Sequence, residues 1–118
     1  MSTQKYALFA FNGDPMCFIH VLLNGIEFKE KGHEVQIIME GSATKLVRDL
    51  NGEGSTPSHT MYRKAREMGL IAGACKACSN QMGVLEDVKE QEIPFRDEMH
   101  GHPSIPQFRE EGWEVITF

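Results

Sequence analysis

Apolar residues gather in short runs along this chain, and each run is bounded by glycine, proline or charged residues. Short continuous apolar runs are typical of strands that are buried on both faces of a sheet. The pattern predicts five strands, of which the fourth is the weakest. They are Tyr6–Phe11, Glu34–Met39, Leu70–Cys75, Ile93–Arg96 and Trp113–Phe118.

Helical segments are predicted between these strands, and several of them begin at a proline and end at a glycine. They are Pro15–Lys31, Glu40–Leu50, Pro57–Glu67, Lys76–Met82 and Pro103–Glu111. Strands that alternate with helices over short connections form parallel sheets. The sequence therefore predicts the α/β class, with a mostly parallel sheet of about five strands and helices on both faces.

The first predicted helix, Pro15–Lys31, is the most strongly marked. Asp14 is placed to cap its free N–H groups, and Pro15 takes the first helical position, where no N–H is needed. Its apolar face is wider than packing against one sheet requires. The excess predicts that the helix also packs against a second subunit.

The composition fits one folded domain over residues 1–118, because 41% of the residues are hydrophobic and 25% are charged. The net charge is −5 and the basic residues are scattered, which argues against a nucleic-acid partner. No apolar stretch has the length of a signal peptide or a membrane span, so no membrane partner is expected. Three cysteines, an odd number, indicate a reducing compartment, and the expected location is cytoplasmic.

Functional sites of parallel sheets form just beyond the carboxyl ends of the strands. This rule selects the segments that follow the predicted strands, namely Asn12–Cys17, Gly41–Thr44, Cys75–Ser79 and the polar loop 97–102. All three cysteines of the chain fall within these segments. The sequence therefore points to thiol chemistry at this edge of the sheet.

Cys75 and Cys78 form a C-x-x-C pair at the end of a predicted strand. A helix that begins there would favour the thiolate of Cys75 and lower its pKa, and Lys76 adds positive charge. The alternative is that both cysteines are small core residues, since buried cysteines are common.

Cys17 and His20 lie one turn apart on the first helix, and both side chains are ligand types that suit zinc. They are candidates for half of a metal site, and Cys17 is also a candidate for a thiol that meets Cys75. The alternative is an ordinary packed helix with a hydrogen-bonded histidine.

His100 and His102 lie in a polar loop that also contains Asp97. With Cys75 and Cys78 these side chains would complete a four-ligand zinc site, although the spacing matches no zinc-finger pattern. The alternative is a solvated loop. No organic cofactor is expected, and zinc is retained as an alternative.

An apolar first strand runs into Asn12–Asp14 and an apolar helix, and the blocks Leu70–Val84 and Gly101–Phe118 extend a pattern that covers nearly the whole chain. This pattern resembles the DsrE/DsrF-like sulfur-relay proteins, which include the TusD-type subunits of tRNA thiolation. In that family the cysteine that carries sulfur precedes a short helix that ends in a glycine and an aliphatic residue. Counting back from Gly83 and Val84 places this cysteine at Cys75.

The resemblance implies a flavodoxin-like, three-layer α/β sandwich that assembles as a dimer, trimer or hexamer. It also implies that Cys75 accepts sulfane sulfur as a persulfide and passes it to a cysteine of an acceptor protein. The partners would then be sulfur donor and acceptor proteins. A thiolate that attacks such a donor performs the same displacement as in thiol–disulfide exchange, so its pKa and accessibility set the rate.

The chain departs from the relay subunits in its extra thiols, Cys78 and Cys17, and in Gln81 and Met82, where those subunits tend to carry arginine. The extra thiols allow a resolving step, in which Cys78 or Cys17 attacks a persulfide on Cys75 and releases sulfide.

Three functional hypotheses follow, in order of preference. The first is a sulfur carrier, or sulfurtransferase-like protein, in which Cys75 carries the persulfide, Lys76 stabilises the thiolate, and Cys78 and Cys17 are auxiliary thiols. The second is a dithiol oxidoreductase that uses Cys75 and Cys78. The third is an oligomeric module that binds a metal or ligand without turnover, with ligands drawn from Cys75, Cys78, His20, His100 and His102.

Overall fold

A computed structural model describes residues 3–118 as five strands and six helices. The strands are β1 (Lys5–Ala10), β2 (Glu34–Met39), β3 (Ile71–Cys75), β4 (Phe95–Arg96) and β5 (Glu114–Thr117). The helices are α1 (Pro15–Glu30), α2 (Leu46–Asp49), α3 (Pro57–Glu67), α4 (Lys76–Gln81), α5 (Leu85–Glu90) and α6 (Ile105–Glu110), and a 3₁₀ segment, Gly41–Lys45, precedes α2. Among these residues, no helix combines the length and the apolar character needed to cross a membrane.

The strands form one sheet in the order β4-β3-β2-β1-β5, and every pairing in it is parallel. The connections from β1 to β4 step across the sheet in one direction, and the last connection returns from β4 to β5 at the opposite edge. Because such crossovers are right-handed, the last helix must lie on the other face of the sheet from the earlier ones. The predicted fold class is confirmed: this is a three-layer α/β sandwich of the flavodoxin-like kind, although its strand order differs from the order 2-1-3-4-5 of flavodoxin itself.

Two apolar clusters separate the three layers. The larger one packs α1, α2, α3 and α5 against one face of the sheet. The smaller one packs α6 against the other face, through Phe108 and Trp113 on Ala7, Phe9 and Ile38. Within residues 3–118, one helix of six residues therefore covers the second face.

The start of α1 follows the predicted local chemistry. The Asp14 carboxylate accepts a hydrogen bond from the Met16 N–H at 2.9 Å, and Pro15 is the first helical residue. Most of the broad apolar face is buried within this one chain, since Phe18, Val21, Leu22 and Ile26 all lie in the larger cluster. Burial against the sheet and α3 thus accounts for most of the face that had indicated a second subunit.

The structure differs from the sequence prediction at two helical segments. The predicted helix Glu40–Leu50 is a 3₁₀ segment followed by the four-residue helix α2. The helix α5 was not predicted, because Val88 is its only fully buried side chain and its other positions give little apolar periodicity.

Tyr62 is a buried polar side chain for which we expect a measurable contribution to stability. Its hydroxyl donates to Gln91 Oε1 at 2.6 Å, and Gln91 Nε2 donates to the Val47 carbonyl oxygen at 2.6 Å. Tyr62→Phe removes the donor and leaves the Gln91 oxygen without it in a part-buried position. We expect the free energy of unfolding at pH 7 to fall by about 1–2 kcal/mol in a urea titration.

The same variant tests the ionisation of Tyr62, because burial raises the pKa of its hydroxyl above the ordinary value. The unfolded tyrosine loses its proton near pH 10, roughly its usual pKa, while the folded one remains protonated. Ionisation of this tyrosine therefore favours the unfolded state as the pH rises through this range, and the Tyr62→Phe variant lacks this effect. The stability difference between wild type and Tyr62→Phe should shrink above pH ~10, and a constant difference would contradict this assignment.

Candidate active site

Four side chains meet at the carboxyl edge of the sheet. Cys75 is the last residue of β3, Cys78 lies in the first turn of α4, Glu40 directly follows β2, and His102 belongs to the loop between β4 and α6. One sulfur, nitrogen or oxygen atom from each of them lies within 4.8 Å of the other three. The two cysteines and His102, which the sequence grouped as candidate zinc ligands, are thus brought together, and Glu40 joins them.

The cluster is centred on the Nδ1 atom of His102. This atom lies 3.1 Å from Cys75 Sγ, 3.7 Å from Cys78 Sγ and 3.9 Å from Glu40 Oε1. A thiol at 3.1 Å from an imidazole nitrogen is placed to exchange a proton with it. The arrangement supplies two nucleophilic sulfur atoms and a base within one small volume.

Backbone contacts fix the positions of the two cysteines and of the loop that carries His102. Cys75 is the N-cap of α4, and its Sγ accepts a hydrogen bond from the Cys78 N–H at 3.3 Å. The Ala77 N–H donates to the Gly101 carbonyl oxygen at 3.0 Å, which ties α4 to the loop of His102. That loop is closed by paired backbone hydrogen bonds between Met99 and His102. Hydrogen bonds of the main chain therefore position the side chains of the cluster.

The Cys75 thiol is fully buried. Burial raises its pKa to about 12; the Cys78 side chain and Glu40 add to the rise, and the Cys78 N–H opposes it. The expected net lowering of this pKa is therefore wrong: the N–H at the helix start does lower it, but burial outweighs that contact, and Lys76 does not contribute. The helix α4 has only six residues, Lys76 is exposed, and the thiol instead faces a second thiol and a carboxyl group.

Glu40 is also buried, at 7% exposure. Burial raises the pKa of its carboxyl group, whereas His102 and a hydrogen bond with Cys75 act in the opposite direction. A carboxyl group held out of water in this way binds a proton or a cation more readily than one at the surface.

The two thiols differ in their access to solvent. Cys78 is half-buried and lines a cavity of about 220 Å³, together with Gly41, Ser42, Gln81 and Met82. Cys75 lies behind it with no exposed surface. A reactant that approaches from outside therefore meets Cys78 before it meets Cys75.

Known proteins similar to this chain include an uncharacterised protein of Methanocaldococcus jannaschii, MJ0733. The two are 32% identical over 98 residues, which cover 83% of this chain and 77% of the archaeal protein. The chain belongs to the MJ0733 family. An uncharacterised protein of Archaeoglobus fulgidus is 46% identical over 46 residues, which cover 39% of this chain and 75% of that protein.

A solved structure also resembles this member of the MJ0733 family. It is a conserved protein of unknown function from Bacteroides thetaiotaomicron, BT1422, which matches with a TM-score of 0.67 and 19% identity over 97% of this chain and 95% of that one. A likeness at this level of identity shows the fold alone. No protein-family model matches the chain.

Besides Lys76, three predicted candidates lie outside the cluster of this MJ0733-family chain. Cys17 and His20 are exposed on α1, which follows β1, and β2 separates β1 from β3. Cys17 is exposed and does not belong to the group of clustered atoms, whereas Cys75 is buried, so the expected meeting of the two thiols is not found. His100 is exposed with a φ of 50°, whereas His102, two residues later, faces the cysteines.

Glu40 was missed by sequence reasoning. It directly follows β2, in the position that the strand-end rule selects, but the selected segment began one residue later, at Gly41. The sequence also held a signal for Glu40, because a charged residue that directly follows the apolar run Ile37–Met39 needs a polar partner if its side chain points into the protein.

Proposed function

We propose that the chain carries sulfane sulfur on the Cys75 and Cys78 pair. The observation that carries the proposal is the pairing of two free thiols of unequal access, one half-buried beside a cavity and the other fully buried behind it. His102 stands within 3.7 Å of both sulfur atoms as a proton acceptor. The resemblance of the chain to DsrE/DsrF-like sulfur-relay proteins supports the same chemistry.

Sulfur enters at Cys78 because this thiol is the accessible one. The Cys78 sulfur attacks the terminal sulfur of a donor persulfide, R–S–SH, while His102 relays its proton to the departing donor thiolate. Cys78 then holds a persulfide, and the donor leaves as R–SH. The resemblance alone assigns this step to Cys75, and burial is our reason for moving it to Cys78.

Two outcomes are open to the loaded sulfur. The thiol of an acceptor protein attacks the terminal sulfur, takes it as a persulfide and restores Cys78. In the absence of an acceptor, Cys75 attacks the Cys78 Sγ, and a Cys75–Cys78 disulfide forms while hydrogen sulfide leaves. The disulfide then needs a thiol reductant to restore the pair.

The partners in this proposal are sulfur donor and acceptor proteins in the cytoplasm. We also propose a homo-oligomer, dimer, trimer or hexamer, as the resemblance implies. The exposed apolar side chains Met16 and Leu23 on α1 are compatible with a contact between subunits. Nucleic acid is not among the proposed partners, since the net charge is −5.

A trapping experiment tests the proposal. Reduced protein is exposed anaerobically to glutathione persulfide, alkylated at timed intervals and weighed intact by mass spectrometry. At early times we expect one added sulfur in the wild type and in Cys17→Ser, which loses only the exposed thiol outside the cluster, and none in the double variant Cys75→Ser/Cys78→Ser. Equal loading of the double variant would contradict the assignment.

A dithiol oxidoreductase is the second candidate, because the two sulfur atoms lie within 4.8 Å of each other. It predicts no trapped sulfur and no sulfide release. Instead, two thiols would be lost reversibly in a glutathione redox buffer, and the single variants would lose this response.

A further inference from the structure

The donor atoms of the four clustered side chains all lie within 4.8 Å of one another, and three of them surround a single ring nitrogen. Both sulfur atoms and Glu40 Oε1 are directed at the same nitrogen, His102 Nδ1. A ring nitrogen is either a single donor or a single acceptor, according to the tautomer. A catalytic triad places its carboxylate on the opposite ring nitrogen from the nucleophile. Convergence of three groups on one side of the ring is instead the arrangement found around a metal ion.

The spacing also suits a tetrahedral ion. With Zn–S bonds of about 2.3 Å and Zn–N or Zn–O bonds of about 2.0 Å, the donor atoms of a tetrahedral site lie roughly 3.3–3.8 Å apart. The distances from His102 Nδ1 to the other three donors are 3.1, 3.7 and 3.9 Å. Small shifts of side chains would bring all four donors to one centre.

The chemistry of the donors selects the class of ion. Two thiols and an imidazole are ligands for zinc and similar borderline or soft cations, whereas magnesium and calcium take oxygen ligands. A divalent cation would also compensate the negative charge of the buried Glu40 carboxylate and of the two sulfur atoms once they have lost their protons.

We propose that Glu40, Cys75, Cys78 and His102 bind one zinc-class divalent cation, and that this cation controls the sulfur chemistry of the two thiols. Binding replaces the two thiol protons, which are released to solvent, with two metal–sulfur bonds. The second half of this inference rests on the sulfur-carrier function proposed above.

The bound cation would control sulfur loading because it occupies the electron pairs with which the two sulfur atoms attack. A thiolate that donates its electron pair to the cation is a weaker nucleophile towards a donor persulfide. Cys78, the accessible thiol, is one of the ligands, so the cation would close the entry route for sulfur. Metal binding and sulfur loading therefore exclude each other, and release of the cation is required before sulfur is accepted.

Metal binding is tested on the full chain without a histidine tag. The metal-depleted protein is titrated with cobalt(II), which reports thiolate ligands by its absorption, and zinc is then used in competition. We expect one ion per chain. Cys78→Ser and His102→Asn should weaken binding by more than the roughly 10- to 100-fold that loss of an outer partner costs.

Two exposed residues supply matched controls, since Cys17→Ser and His100→Asn remove the same chemical groups outside the cluster. Both should bind the ion as the wild type does. Glu40→Gln keeps the shape of the side chain and should bind more weakly than the wild type. Far-ultraviolet circular dichroism checks that every variant is folded. Equal metal affinity in His102→Asn, Cys78→Ser and the wild type would overturn the metal site.

Sulfur loading with and without one equivalent of zinc separates this inference from the sulfur-carrier proposal. If zinc blocks the loading, the result supports both the metal site and the sulfur carrier. Stoichiometric zinc binding without loading under either condition supports the metal site and contradicts the sulfur carrier. Loading that proceeds equally in the presence of bound zinc overturns the control by metal, and loading of a protein that binds no ion overturns the metal site itself.

Discussion

Cys78→Ser should abolish sulfur loading, whereas Cys75→Ser should accept one sulfur and keep it. The first variant loses the accessible nucleophile, and the fully buried Cys75 thiol cannot meet a donor. The second retains the entry thiol and lacks the resolving one, so no sulfide is released. Serine suits position 75 because its hydroxyl can still accept the Cys78 N–H as a helix cap.

The sequence allows the loaded thiol to be located directly. Trypsin cleaves after Lys76 and separates the pair into the fragments 67–76 and 77–89, each with one cysteine. In the wild type, we expect trapped sulfur first on the second fragment, followed by sulfide release and a disulfide between the two fragments. Cys17→Ser should reproduce this course. Trapped sulfur on the first fragment, with Cys78→Ser still loading, would show that Cys75 receives the sulfur.

Phe108→Ala should destabilise the protein by about 3–5 kcal/mol, because the ring fills the centre of the smaller apolar cluster. Its centroid lies 5.3 Å from that of Phe9 and 6.3 Å from that of Trp113, and the Arg96 guanidinium carbon lies 4.5 Å above the ring. The six-residue helix α6 is the helical cover of this face, so little else can fill the space. Domains have total stabilities of roughly 5–15 kcal/mol, so the loss is a large fraction.

Urea unfolding, followed by circular dichroism, measures this effect. Ile116→Ala is the matched control, since this side chain is 37% exposed at the edge strand β5 and should change stability by no more than about 0.5 kcal/mol. A loss below about 1 kcal/mol for Phe108→Ala would contradict the role given to α6.

The local chemistry of helix starts was predictable from the sequence because it involves neighbouring residues alone. Asp14 and Pro15 begin α1, and Pro57 begins α3, as the sequence indicates. The strand β2 runs over Glu34–Met39, the predicted range. The helix α5 escaped prediction because it is stabilised mainly by its place against the larger apolar cluster, which Val88 joins.

The candidate site was predictable in part. Cys75 and Cys78 are close in sequence and follow an apolar run, so strand-end reasoning finds them. The choice of His102 over His100 depends on the turn that pairs Met99 with His102 and directs one ring inward. No local pattern distinguishes two histidines that are separated by one glycine.

The sequence by itself determined the fold class, the strand order along the chain and the presence of a thiol pair at a strand end, because hydrophobic periodicity and turn residues act over a few positions. The tertiary structure decided which side chains surround that pair. It brought Glu40 and His102 to the cysteines and left Cys17 exposed on α1, outside the cluster. It also buried Cys75 and raised its pKa, because solvent access and dielectric environment depend on the packing of the whole domain.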